Sequence, residues 1–309
     1  MKFVMYHYVG FYNPNFPNLK FLDADDFQKQ LDYFEENFGF VSKSKFIEAI
    51  RNKESPQGVV LTFDDGLKCH YEIVYKILKE RGLWGIFYVN SLPLKEFKFL
   101  DVHLSHILTA ISNQQIVFEL LIEICHKGFL EEKAIKVFEN YAYKNQEQNE
   151  YSLEIKKIIN YYIKFENRTK VINEILSKIY PDFIINVSDY YLNVKEMIEM
   201  NKNGMLFGGH TVSHKLLSRL DIPEQEFEII QDYNFLENVL EEMPLKTFCF
   251  PYGGEKSFNP NTINILNKEK FDFSLSVESR DVIPQDLLHN LQFLPRYDCN
   301  EFPYGKCRY

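Results

Sequence analysis

Apolar positions along this chain alternate between two spacings. Short apolar runs read as strands: Lys2–Tyr8, Gly58–Leu61, Trp84–Val89, Leu206–Phe207, Lys246–Phe250, Phe273–Val277 and Gln292–Leu294. Between them the spacing turns helical. Over Asp25–Phe38, the residues Phe27, Leu31, Phe34 and Phe38 make one stripe, and Ser42 is placed to cap a helix over Lys43–Asn52. A helix over His70–Arg81 is stopped by Gly82, and one over Val194–Asn203 by Gly204. Pro223–Met243 reads as a long helix with Phe227, Ile230, Tyr233, Leu236 and Leu240 near one face, and Asn259-Pro260 opens another that runs to about Lys268. Strand and helix in turn call for parallel strands wrapped by helices, with function at the strands' carboxyl ends.

From about Leu92 to Tyr191 the alternation stops. The stretch is rich in Ile, Lys, Glu, Asn and Tyr, and segments such as Val102–Leu108 and Ile155–Ile159 keep helical periodicity. The expected organisation is therefore an α/β barrel from residues 1–94 and 190–309, with a mostly helical insertion over 95–189. On a βα loop such an insertion tops the active-site face, so it is either a lid or substrate platform, or else a dimerisation element of a homo-oligomer or a purely packing element.

Composition narrows the class. A chain of 309 residues can bury a large core as one barrel or two units. Its formal charge is -9, with both signs mixed and no basic tract, which argues against a nucleic-acid partner. The 28 Phe and 20 Tyr are core residues for the most part, with some available as a sugar-stacking surface. Five scattered cysteines without Cys-x-x-Cys spacing make neither a disulfide framework nor a zinc ribbon. The first apolar run is too short for a signal peptide and no segment is long enough to span a bilayer, so the expected location is cytoplasmic.

Two short motifs carry the chemistry. In Leu61-Thr62-Phe63-Asp64-Asp65-Gly66, two adjacent acids follow an apolar run and a glycine closes the turn. Acids at the end of a buried strand are costly unless a metal or catalytic work compensates them; a surface Asp-Asp-Gly turn is the plain alternative. In Gly208-Gly209-His210-Thr211-Val212-Ser213-His214, two histidines four apart share one face of a helix, or of a turn entering one. Two neutral imidazoles and one carboxylate form a three-ligand set with open positions, the pattern of a catalytic divalent metal. Two unrelated polar histidines are the alternative. His103 and His106, three apart on the insertion, read as solvated or packing residues, and Cys249 as an interior strand residue.

Thr62-Phe63-Asp64-Asp65-Gly66, then His210-Thr211-Val212-Ser213-His214, then Phe250-Pro251-Tyr252-Gly253 stand in an order that resembles the polysaccharide deacetylases, the NodB-homology group similar to carbohydrate esterase family 4. The opening Met5-Tyr6-His7-Tyr8-Val9 is similar to the first strand of many members. The resemblance covers residues 1 to about 94 and 190 to 300. It implies a distorted (β/α)7-type barrel and a metal-dependent hydrolase that removes an N-acetyl group from an amino sugar in a polysaccharide or its precursor, and the expected cytoplasmic location points to a surface-glycan precursor. Other readings are a different C–N hydrolase on the same scaffold, acting on a formamide or cyclic amide, and a non-catalytic glycan-binding relative.

Residue by residue, the resemblance makes Asp64 the general base and Asp65, His210 and His214 the ligands of a divalent ion, zinc by default, with cobalt, nickel or iron as alternatives. Tyr252, beside Pro251, matches the position whose backbone amide holds the oxyanion in the family. Two features depart from the pattern. The Arg that many members carry just before Pro-Tyr is replaced by Phe248-Cys249-Phe250, and the late His of a Leu-x-x-His context is missing from Leu294-Pro295-Arg296-Tyr297-Asp298. His7 and His289 are the candidates for the missing acid. Arg296 cannot donate a proton near neutral pH, but it could bind an anionic group or orient Asp64.

Overall fold

A computed structural model describes residues 1–111, 113–125, 127–139, 150–181 and 186–307. The chain divides into two compact units, one formed by residues 1–11, 21–98 and 187 onward, the other by residues 12–20 and 99–186.

The first unit is built on a seven-stranded sheet. Its strands are β1 (Lys2–Tyr6), β4 (Val59–Phe63), β5 (Gly85–Val89), β6 (Leu206–Gly209), β7 (Thr247–Cys249), β8 (Phe273–Leu275) and β9 (Tyr297–Asp298). Short β2 (Val9–Gly10) and β3 (Leu22–Asp23) pair separately. The order β8-β7-β6-β5-β4-β1-β9 is parallel throughout. β4 and β5 are buried at every position, as strands covered on both faces must be. The last segment curls the sheet into a distorted barrel. Leu294 N donates to Ser274 O at 2.8 Å beside β8, whereas Tyr297 and Asp298 pair with Val4 and Met5 of β1. Phe3, Val60, Ile86, Leu206, Phe273 and Leu294 pack into one buried cluster. Each such side chain contributes roughly 1.5–3 kcal/mol by leaving water.

The helices form for local reasons. Ser42 Oγ accepts from Lys45 N at 3.4 Å and starts the helix Lys43–Asn52. Asn193 with Glu196, and Asp221 with Glu224, close reciprocal capping boxes on Val194–Lys202 and Ile222–Val239. Four expectations change. The Pro223–Met243 helix is Ile222–Val239, and it is rotated: Phe227 is 57% exposed, and the buried face carries Gln225, Glu228 and Asp232 with Ile229, Tyr233 and Leu236. Tyr233, Leu236 and Leu240 are buried as expected, but Phe227 is not, because Glu228 and Asp232 turn inward to bond loop backbone, as described below. The strand expected over Gln292–Leu294 is a turn over Leu291–Phe293, with pairing delayed to Leu294 and β9. The helix expected over His70–Arg81 opens with wide turns over His70–Tyr75 before Lys76–Glu80 tightens, and Gly82 lies at φ +66°. The strand expected over Lys2–Tyr8 ends at Tyr6.

The second unit is helical. Asp101–Ile111, Gln114–Ile124, Glu132–Phe138, Glu150–Lys157 and Phe165–Ile179 enclose a core that includes Leu108, Val117, Leu121, Ile155, Ile159 and Ile172. Its stretch 12–20 is tied in by Asn18 N, which donates to Ala110 O at 3.1 Å. Asp101 accepts from Thr169 Oγ1 at 2.8 Å, and the rings of His103 and His106 lie 5.8 Å apart. Among the described residues no helix is long and apolar enough to cross a membrane.

Candidate active site

The sheet delivers the site residues at the carboxyl ends of its strands. His7 follows β1, Asp64 and Asp65 follow β4, His210 follows β6, and Pro251 and Tyr252 follow β7. The Asp64 N–H continues the β1–β4 pairing by donating to Tyr6 O at 2.9 Å, which fixes where the acids emerge. The turn after them needs Gly66. Its φ is +62°, and an added Cβ would lie 2.9 Å from Val89 Cγ1.

Asp65, His210 and His214 are all buried, and each offers one donor atom to a common point. Both Nε2 atoms lie 3.4 Å from Asp65 Oδ1. That is longer than a well-formed N–H···O hydrogen bond. It matches a shared ion: a zinc about 2.05 Å from nitrogen and about 2.1 Å from oxygen, at the tetrahedral angle, holds N and O about 3.4 Å apart. The His210 ring is oriented for this. Its Nδ1 lies 2.7 Å from Cys249 O, so Nδ1–H donates to that carbonyl, and in the neutral ring that a metal requires, the lone pair is on Nε2. The donor set therefore fits a catalytic divalent ion. The two histidines do not share a helix face, as the spacing suggested. They sit in a loop with Thr211 at φ +68° and His214 at φ +56°, their ring centroids 4.9 Å apart.

Asp64 faces another partner. Arg296 donates from one guanidinium nitrogen to Oδ1 at 2.8 Å and from the other to Oδ2 at 2.7 Å. The same guanidinium reaches Thr62 Oγ1 at 3.2 Å and Cys249 Sγ at 3.0 Å, and the Cys249 thiol lies 3.5 Å from Asp64 Oδ2. Burial pushes the Asp64 carboxyl up, but the Arg296 guanidinium, together with His210 and His7, outweighs it and holds the group below the usual carboxylate range. Asp64 is thus an ionised, two-point-anchored carboxylate beside the three-ligand cluster. The arginine missing before Pro251 is supplied from the far end of the chain. Cys249 packs in a strand, as expected, but its sulfur also lies inside this network.

His7 Nε2 lies 4.0 Å from Asp65 Oδ2, and the side chain is 39% exposed, open to exchange with solvent. Its backbone is held by His70, whose Nε2 is 2.9 Å from His7 O. Burial pulls His70 down to about 4, so the neutral ring donates there. His289 is not brought to the site. It ends the exposed tip of the helix Pro284–His289, which follows Val282, and Val282 N bonds to Met1 O at the opposite end of β1. The Tyr252 ring meets His214 edge-on, with centroids 4.9 Å apart.

Asp65, Thr211, His214 and Tyr252 make up four of the non-glycine residues with positive φ, at +81°, +68°, +56° and +65°. Such backbone costs about 1–3 kcal/mol per residue and gathers where function requires it. Gly253, at φ +63°, tolerates no Cβ, which would run into Val277 Cγ2. Gly253→Ala is expected to lose about 1–3 kcal/mol from overpacking. Urea unfolding should show that loss, and turnover should fall with it as the Tyr252 amide shifts.

Sequence reasoning missed the supports of the histidine loop. Glu228 accepts from Ser213 N at 2.8 Å and from Ser213 Oγ at 2.5 Å. Asp232 accepts from His210 N at 2.8 Å and from Ser91 N at 2.7 Å. Burial pushes the Asp232 carboxyl up to about 8, against the pull of these two N–H groups. The available signal was the i,i+4 spacing of two acids within an otherwise core-facing stripe.

Comparison with known proteins follows this geometry. Residues 173–274 match the family model described as polysaccharide deacetylase. The chain is related to the polysaccharide deacetylases. No curated protein matches. Among solved structures, it is similar to the Streptococcus pyogenes deacetylase PplD in complex with acetate, at 18% identity and TM-score 0.57, covering 96% of this chain and 91% of that one. It is also similar to a de-N-acetylase from Aggregatibacter actinomycetemcomitans, at 13% identity, TM-score 0.55 and coverage of 96% and 93%. IcaB from Ammonifex degensii gives 15%, 0.56, 96% and 90%. At these identities the likeness is one of fold. The polysaccharide deacetylase-like barrel of this chain thus carries the (β/α)7 architecture, and the site residues stand on their own geometry.

Proposed function

We propose that this chain is a metal-dependent hydrolase that removes an N-acetyl group from an amino sugar, presented in a surface-glycan precursor or a polysaccharide. The family match supports the coarser part, sugar N-deacetylation, as do the names of the solved relatives, a deacetylase bound to acetate and a de-N-acetylase. One observation supports metal-dependent hydrolysis: two neighbouring carboxylates face different partners, Asp65 two imidazoles and Asp64 a guanidinium.

Asp65, His210 and His214 would hold the ion, with zinc the default for this donor set and cobalt, nickel or iron also compatible. A divalent ion bound there supplies Lewis acidity, which lowers the pKa of a water from about 15.7 to about 7. Asp64, kept ionised by Arg296, takes the proton of the attacking water. The backbone amide of Tyr252 would hold the oxyanion that forms on the acetyl carbonyl, the role its matching position has in the family. The C–N bond then breaks, and the leaving amine needs a proton. His7, the half-exposed imidazole beside Asp65, would give it. Acetate and the free amino sugar are the products.

The test is acetate release from a panel of N-acetylated amino sugars, sugar nucleotides and oligosaccharides by zinc-loaded protein, with formate and ammonia followed in parallel. Acetate alone supports the reading; formate or ammonia would move the chain to another C–N hydrolase class, and no product from any substrate would count against catalysis. His7→Gln should keep the metal and lose about 100- to 10,000-fold in kcat, the usual value of a positioned proton donor. A wild-type rate in that variant would remove His7 from the mechanism.

A further inference from the structure

Each polar group of His210 other than Nε2 has its own partner. The backbone N–H donates to Asp232 Oδ2 at 2.8 Å, Nδ1 lies 2.7 Å from Cys249 O, and the backbone carbonyl accepts from Asn90 Nδ2. Asn90 Nδ2 also reaches the carbonyl of Thr211 at 3.0 Å, the β-branched residue held at φ +68°. Asp232 Oδ1 accepts from Ser91 N at 2.7 Å, and Leu92 N donates to Val212 O at 3.0 Å. Residues 90–92 and 210–212 are thus stitched together, with Asp232 bonded to both. Asp232 is fully buried, Asn90 is 2% exposed, and an added Cβ on Gly209 would lie 3.2 Å from Asp232 Oδ2.

We propose that Asp232 and Asn90 form a clamp on the His210 peptide that sets the direction of its imidazole, and thereby the affinity of the ion site. A buried carboxylate on a core-facing helix stripe is costly, and apolar packing would fill that position at less cost. What the carboxylate adds is a fixed N–H on the ligand residue itself, while Asn90 fixes its carbonyl and the strained carbonyl after it. Partners that orient a ligand in this way alter metal affinity when removed. Both are positioning residues.

The inference rests on the proposed metal site, and the experiment separates the two. Zinc affinity of the full chain is measured by competition with a chromogenic chelator for wild type, His210→Ala, Asp232→Asn and Asn90→Ala. The clamp variants should bind zinc about 10- to 100-fold more weakly. At saturating zinc they should lose kcat, with KM little changed. Asp286→Asn, a buried carboxyl paired with Arg280 at the opposite end of the barrel, should lower thermal stability and leave zinc affinity alone. If Asp232→Asn does not fold, Asn90→Ala decides the matter. Folded clamp variants that bind zinc within about twofold of wild type would overturn the inference, because an outer partner of this kind is expected to matter at least tenfold. A wild type that binds no zinc, or a His210→Ala that binds it equally well, would instead sink the metal reading.

Discussion

His214→Ala should yield a folded protein that holds no stoichiometric zinc and turns over at least about 1000-fold more slowly, since losing a ligand exceeds the roughly 10- to 100-fold cost of losing a ligand's hydrogen-bond partner. His210→Ala should behave in the same way. The expectation follows from the convergence of both Nε2 atoms on Asp65 Oδ1 at 3.4 Å. His214 is the more discriminating substitution, because a second set of donor atoms lies alongside: Asp64, His210 and Cys249 also come within metal-binding reach of one another. That set shares His210 but not His214. Its carboxylate is already engaged by Arg296 through both oxygens, and the Cys249 thiol is pushed up by burial and stays protonated, a poor ligand. Cys249→Ser should therefore retain zinc, where His214→Ala does not. Inductively coupled plasma analysis of the three proteins checks the ordering, and zinc in His214→Ala together with its loss from Cys249→Ser would reverse the assignment.

Arg296→Met should be the most destabilising single change near the site, at about 3–5 kcal/mol, the usual cost of breaking a buried ion pair by removing one partner. The two side chains are 1% and 3% exposed, so water cannot replace the guanidinium. Turnover should fall as well. With Arg296 gone, burial is left as the leading influence on Asp64 and pushes its carboxyl upward. The base must be ionised to act, so the acid limb of the rate profile should move to higher pH. Stability follows the same sign. In the wild type the Asp64 carboxyl is depressed on folding, so its contribution is present above the unfolded-state pKa and is lost as pH falls through the folded value. Adding Asp64→Asn to Arg296→Met should restore much of the stability, because no unpaired charge remains, and should leave the protein inactive. Urea midpoints and rates for both variants test this. A single variant as stable as wild type would mean that the guanidinium does not lie inside the barrel.

What was legible in the sequence was local. Asp64 and Asp65 are adjacent and end an apolar run, and the two histidines are four residues apart, so each pair announced itself without the fold. The Asp64–Arg296 pairing spans 232 residues, and the sequence left Arg296 two roles, orienting the base or binding an anion. Only closure of the sheet by Leu294–Asp298 brings it to Asp64. That closing strand was misplaced because pairing there rests on two residues of β9, too few for periodicity to register. Phe227 and Asp232 mark a deeper limit. Hydropathy turned the helix so that Phe227 faced inward, yet the chain spends that face on carboxylates that satisfy loop N–H groups, a demand no single-element pattern reveals. His289 and His7 are both candidates in the sequence for the missing acid, and the fold puts one at an exposed helix end and the other beside Asp65.

The central claim is that an aspartate and two imidazoles, with no sulfur, make up the protein's share of the ion site. Zinc K-edge X-ray absorption of the loaded protein tests it most directly. The account predicts a first shell of nitrogen and oxygen at about 2.0–2.2 Å with outer scattering from two imidazoles. A sulfur scatterer at about 2.3 Å would contradict it and move the ion to Cys249.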